Sequence, residues 1–440
     1  MVQTGRHLSG WPGQNAWFFR RSENVIRMNL RTSSLTLSFL IILPARAAPA
    51  AMPSFEKQVL TDRYFCDGIT AGDINRDGKM DIIAGPFWYE GVDFKVKHEF
   101  YLAKEFPLPP SPTDSMFSYA HDFNGDGWQD ILVLGRVHLH QAFWYENPKG
   151  AKGFWEKHFV FERVKGESPP FLDADGDGKP EIVGHWEDRW GFIQPDRANP
   201  AAPWTFKPIT DKRRWEQFYH GTGLGDVNGD GRLDLLLNEG WYEQPADHDA
   251  VWIRHEFRFG EKGGAQMFAY DVNGDGRNDI ITALDAHGWG LAWFEQVNES
   301  GRTTFKKHVL MGDRSEEARC GVAFTQPHAL DFADLDGDGL KDIIVGKRLW
   351  AHGPNGDIEP NEAPVLYWFR LKREAKGGAT FVPYRIDDKS GVGVQVAATD
   401  VNGDGRTDIL TVSKLGAFVF LNRADGVSAK LPAKKARSVP

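Results

Sequence analysis

Short apolar runs punctuate this chain at intervals of roughly 45 to 66 residues, and Ile82-Ile83-Ala84-Gly85 and Ile343-Ile344-Val345-Gly346 are two of them. Their length and β-branched composition fit buried strands, and neither flank shows the periodicity of a helix. Behind most of them follows a Trp-aromatic-acid stretch, at Trp88-Tyr89-Glu90, Trp144-Tyr145-Glu146, Trp241-Tyr242-Glu243 and Trp293-Phe294-Glu295, with Trp368-Phe369-Arg370 as a variant. A further strand of aromatic-x-[Lys/Arg]-x-apolar type comes next, as at Trp155 to Val160 and Phe305 to Leu310. One copy of this last strand, Phe55 to Leu60, stands out of place before the first repeat, and the chain closes on a third strand, Phe418 to Leu421. The pattern predicts an all-β fold: a seven-bladed β-propeller of four-stranded antiparallel blades, its ring closed by the N-terminal strand.

Ahead of each apolar run lies a polar nine-residue turn, D-x-[DN]-x-D-G-x-x-[DE], which occurs seven times. Its oxygen-bearing positions are Asp73, Asn75, Asp77 and Asp81; Asp122, Asn124, Asp126 and Asp130; Asp173, Asp175, Asp177 and Glu181; Asp226, Asn228, Asp230 and Asp234; Asp271, Asn273, Asp275 and Asp279; Asp334, Asp336, Asp338 and Asp342; and Asp400, Asn402, Asp404 and Asp408. Short oxygen side chains at positions one, three, five and nine are a calcium-loop spelling, and the Gly at position six permits the sharp turn. It is not an EF-hand, because no Glu stands at position twelve; after Asp73 that place is Ala84. Crowded carboxylates repel unless a cation sits among them. The expectation is therefore a structural Ca²⁺ in each blade, up to seven in all, with the third loop weakest because Glu181 follows Pro180.

The repeat fills most of the 440 residues, which argues for a single domain over 54–422. Residues 1–47 read as a leader: Met28-Asn29-Leu30-Arg31, an apolar run from Leu35 to Leu43, and Ala45-Arg46-Ala47 resemble a signal peptide starting at Met28. The implied location is secreted or periplasmic. Residues 423–440 form a basic tail rich in Ala and Lys, expected to be disordered. Without the leader, 46 basic and 60 acidic side chains leave a net charge of about −14, which seven Ca²⁺ ions would offset. There is no basic stripe to suggest nucleic-acid binding, and no later apolar run is long enough to span a membrane. Two cysteines, Cys66 and Cys320, fall in the first and sixth repeats, so this is not a disulfide framework.

The repeat also sorts the histidines. His98, His158, His255 and His308 fall in the outer strand and belong to the framework. His220 and His328 each stand six residues before a loop's first Asp, which at about 3.3 Å per residue places them roughly 20 Å from the loop, at the far mouth of the inner strand. Turns between second and third strands add Arg136, His138, His140, His185, Glu239, Asp285, His287, Arg348 and His352 to that face, with Trp190, Trp289 and Trp350. Imidazoles beside a carboxylate suit Zn²⁺ or another divalent transition metal, or general acid–base work.

These repeats resemble the FG-GAP or VCBS family of propellers over about residues 55 to 422. More narrowly, His220-Gly221-Thr222-Gly223-Leu224-Gly225-Asp226 with Gly240-Trp241-Tyr242-Glu243-Gln244-Pro245 is similar to the propeller domain of the aldos-2-ulose dehydratases, which eliminate water from keto-sugars. That resemblance implies a secreted carbohydrate-active protein of carbon–oxygen lyase type. His220, His328 and His287 would serve as metal ligands or general base, Glu239 or Asp285 as acid–base partner, and Arg348 would orient a keto-sugar. The alternative is a non-catalytic module presenting the same face to a glycan or a protein. The two separate on whether the three histidines converge to within about 4 to 5 Å around one point.

Overall fold

The computed structural model describes residues 52–108, 113–135, 141–375 and 377–423. The expected leader and the tail beyond residue 423 lie outside them, as do Arg136, His138 and His140. Most described strands form four-stranded antiparallel units in chain order, for example Ile69–Gly72, Asp81–Ala84, Phe87–Tyr89 and Lys97–Glu99. The outer strand Ser54–Thr61 pairs with the last strand, Gly416–Arg423, and so joins the two ends of the described chain. The fold is a β-propeller.

In each repeat the polar turn joins the first and second strands, and its ninth residue opens the second. Those residues, Asp81, Asp130, Glu181, Asp234, Asp279, Asp342 and Asp408, are all buried. Burial is tolerated because, at all but Glu181, backbone N–H groups satisfy both oxygens. At Asp130, one oxygen accepts from Phe123 N at 3.0 Å and the other from Asn147 N at 2.8 Å. This acid thus ties its turn to the end of the third strand, and the same pair of bonds recurs at Asp234, Asp279, Asp342 and Asp408.

The outer strands are held by a repeated stack. The Trp88, Trp144, Trp241 and Trp293 rings lie 4.0–4.3 Å from those of His98, His158, His255 and His308. Each imidazole also contacts the acid of the Trp-aromatic-acid strand, at 2.6–2.9 Å. These four histidines are framework. Trp190, expected at the mouth, is instead fully buried in an apolar cluster with Phe192, Tyr219 and Trp252. Cys66 and Cys320 are both free.

Seven separate blades are not what forms. The structure has five four-stranded sheets and one sheet of eight strands. In the large sheet, Thr222–Gly225 pairs in parallel with Gln266–Tyr270, through Thr222↔Gln266 and Gly223↔Met267, and so joins two four-stranded units. The cause is local. A Cβ on Gly223 would lie 1.9 Å from the Met267 carbonyl oxygen, so only glycine lets these two inner strands approach to pairing distance. Counting loops counts turns, and this junction lies between them.

Candidate functional site

The first strands of neighbouring repeats lie side by side, and the residues just ahead of them gather at one end. His220 precedes Thr222–Gly225, and His328 lies in Pro327–Ala333. His287 comes from the turn between Asp279–Ala283 and Leu291–Glu299. That turn is clamped on two sides: Ala286 N donates to Gly263 O at 2.9 Å, and Gly288 O accepts from Gln326 N at 2.8 Å. Gly263, at φ +81°, passes so close to His220 that a Cβ would lie 2.2 Å from its carbonyl oxygen. Asp285 sets the turn itself, accepting from His287 N at 2.9 Å.

The result is convergence. His220, His287, His328 and Glu167 each present one ligating atom, and these atoms lie within 4.8 Å of one another. His220 Nε2 is 3.2 Å from His287 Nε2 and 3.2 Å from Glu167 Oε2, while His328 Nε2 is 3.3 Å from the same oxygen. A tetrahedral ion with bonds of about 2.0–2.1 Å keeps its ligand atoms about 3.3 Å apart, so the spacing fits one.

Electrostatics favour the ligating forms. Burial pushes His328 well below the ordinary imidazole value, and the nearby Arg348 guanidinium acts the same way, so its ring is neutral. Burial alone would raise the Glu167 carboxyl, but His220 and His328 outweigh it and hold it well below the usual carboxylate range. Arg348 Nη1 lies 2.9 Å from His328 Nε2, the nitrogen that faces Glu167. Behind His287 lies Asp357 on the long connection after Asp342–Lys347, its Oδ1 3.6 Å from His287 Nδ1 and 2.8 Å from His352 Nδ1. An outer carboxylate on the far nitrogen of a ligand imidazole fixes which nitrogen faces inward.

In front of the cluster opens a cavity of about 700 Å³, lined among others by Glu167, His220, His287, Glu239, Asp285, Tyr219 and Trp215. Glu239 accepts a short hydrogen bond from Tyr219 OH. Arg348 does not line this cavity; it is buried behind the histidines, its Nη2 3.4 Å from Asp67 Oδ1. Glu167 and Asp67 escaped the sequence reading, although the signal was present. Both stand six residues before a loop's first Asp, the register that picked out His220 and His328.

At the opposite ends of the first strands, the polar turns are pre-shaped by their own backbone. Asp226 accepts from the N–H groups of Gly229, Asp230 and Gly231 at 2.7–3.1 Å. In the third and sixth turns the acids at positions one, three and nine come within 4.8 Å of one another, a set able to hold a hard cation. The sixth already carries a cation, because Arg370 lies 2.5 Å from Asp336 and 3.2 Å from Asp338. The third has a substitute too: Arg197 contacts Glu181 at 3.2 Å, where the other turns use a backbone N–H.

Family comparison agrees with this repeat. Residues 122–184 and 271–345 match the FG-GAP-like repeat, and 392–419 the FG-GAP repeat. These segments of the propeller carry FG-GAP repeats. Part of it is 32% identical over 108 residues to integrin alpha-PS3 of Drosophila melanogaster, covering 22% of this chain and 9% of the integrin. Among solved structures, the Tc holotoxin pore of Photorhabdus luminescens is 14% identical, with a TM-score of 0.35, over 84% of this chain and 15% of that one. BBS1N in complex with ARL6DN is 10% identical, with a TM-score of 0.43, over 86% and 98%. Among the described residues of the propeller, no helix is long and apolar enough to cross a membrane.

Proposed function

We propose that this propeller is an exported, calcium-stabilised protein that acts on carbohydrate at a single transition-metal centre held by Glu167, His220, His287 and His328. The observation that carries the reading is the meeting of three imidazole nitrogens and one carboxylate oxygen at tetrahedral spacing. Three imidazoles with a carboxylate suit Zn²⁺ or a similar divalent ion. The narrower assignment, elimination of water from a keto-sugar, rests on the likeness of residues 220–226 and 240–245 to the dehydratase propeller domain.

A bound ion would supply Lewis acidity toward a substrate carbonyl oxygen. The chain's own groups would do the rest. Glu239, facing the cavity, would accept the proton on the carbon next to the carbonyl, and the electron pair left there forms the new double bond as the neighbouring C–O bond breaks. Tyr219 O–H, now bonded to Glu239, would protonate the departing hydroxyl, which would leave as water. Asp285 holds the turn that aims His287.

Elemental analysis of the purified protein beside a His220→Ala/His328→Ala variant tests this. The expected result is calcium plus about one equivalent of a transition metal, the latter lost in the variant while calcium stays. Calcium alone in both proteins would remove the metal centre and leave a glycan- or protein-binding propeller as the account.

A further inference from the structure

A second buried group lies on the other side of Arg348 and takes no part in the metal reading. Lys414 follows the strand Asp408–Ser413 and is almost wholly enclosed, at 4% exposure. It occupies the repeat position of Arg348, six residues after the ninth residue of its polar turn. Its Nζ lies 5.4 Å from the Tyr64 ring and 3.9 Å from Asp67 Oδ1, the one carboxylate within 4 Å among the described residues.

That carboxylate is already committed. Asp67 Oδ2 accepts from Tyr64 OH at 2.8 Å and from Thr113 Oγ1 at 2.9 Å, and Oδ1 faces Arg348 Nη2 at 3.4 Å, nearer than the amine. One negative charge is thus shared between two cations, and the guanidinium, which does not lose its proton, holds the closer place. Lys347 makes the contrast. It is just as buried, yet its Nζ donates to Thr325 Oγ1 at 2.6 Å, and it lines no described cavity. Lys414 instead borders a separate cavity of about 470 Å³, with Arg63, Tyr64, Glu105 and Phe106 on its walls.

We propose that Lys414 is a reactive amine that condenses with small aldehydes or ketones entering this cavity. Nζ attacks the carbonyl carbon and a C–N bond forms. Both amine hydrogens pass to the carbonyl oxygen, which leaves as water, and a C=N bond remains. No oxidant or reductant is consumed. Desolvation beside a second cation is a recognised way to free a lysine amine for this chemistry. Here burial pushes Lys414 down to about 7, Arg348 acts in the same direction, and Asp67 and Asp357 oppose them. At neutral pH a far larger share of this amine is therefore unprotonated than the fewer than about one in a thousand of an ordinary lysine. The inference does not depend on the metal centre.

The test is reductive trapping. The folded protein is incubated at pH 7 with dihydroxyacetone and cyanoborohydride, and the modified lysines are mapped by peptide mass spectrometry. Lys414 should be alkylated more than tenfold faster than exposed lysines such as Lys95 and Lys306. A Lys414→Arg variant, which keeps a cation beside Asp67, should lose the fast adduct while retaining its circular dichroism. Labelling of Lys414 no faster than that of the exposed lysines would overturn the proposal. The wild-type map alone decides this, even if the variant fails to fold.

Discussion

Replacing Gly223 by Ala tests the link between the fused sheet and the site it supports. The added Cβ would lie 1.9 Å from the Met267 carbonyl oxygen and 2.7 Å from its carbon. Unstrained non-bonded atoms sit about 3.5 Å apart, so the two inner strands must separate by more than about 1 Å. Overpacking of that kind costs about 1–3 kcal/mol. Separation also weakens the Thr222↔Gln266 and Gly223↔Met267 pairings, at about 1 kcal/mol per hydrogen bond. The expected loss is about 3–5 kcal/mol, a fall of several degrees in Tm. Because His220 lies three residues upstream, its 3.2 Å approach to His287 should loosen too, and bound transition metal should fall with stability. Gly184→Ala is the matched control. It lies within the strand Glu181–Trp186, and its added Cβ would meet nothing closer than 3.6 Å. Removing a strand glycine there should be neutral or stabilising by up to about 1 kcal/mol. The assay is thermal and urea unfolding of the three proteins side by side. If Gly223→Ala melts with the wild type, or Gly184→Ala falls as far, the close-approach argument is wrong.

Chelation with EDTA should lower the Tm, since each ion present at ten times its Kd contributes about 1.4 kcal/mol; an unchanged melt would remove calcium from the account. Lys57 on the first strand bonds Asp387 of a neighbouring sheet at 2.8 Å. Burial works against the Asp387 carboxylate, yet this bond and the Lys389 N–H outweigh it and lower its pKa, so the contribution is present above the unfolded value of about 4 and fades as pH falls through the lower folded value. Asp387→Asn should therefore cost about 1 kcal/mol at pH 7 and progressively less on acidification, read from urea midpoints at several pH values; a pH-independent penalty would contradict the sign.

Much of this protein could be read in its sequence because the information is local and repeated. A nine-residue turn carries its own hydrogen bonds, as at Asp226, and it opens into an apolar strand wherever it occurs. The strand-and-turn order, the displaced Phe55 copy and the framework role of His98, His158, His255 and His308 all follow from that repeat. So did the placing of His220, His328 and His287 at one end; Glu167 stood in the same register and needed only the rule applied to every repeat. Two things were decided by tertiary structure alone. Whether neighbouring four-stranded units remain separate depends on how closely two inner strands approach, and that is set where Gly223 meets Met267, a contact between consecutive repeats that no single repeat specifies. The setting of the centre likewise depends on long-range docking. Gly263 and Gln326 clamp the His287 turn, and a connection beyond the repeat brings Asp357 behind it. Repeats specify local geometry, whereas side chains from distant segments meet only when the whole chain has closed on itself.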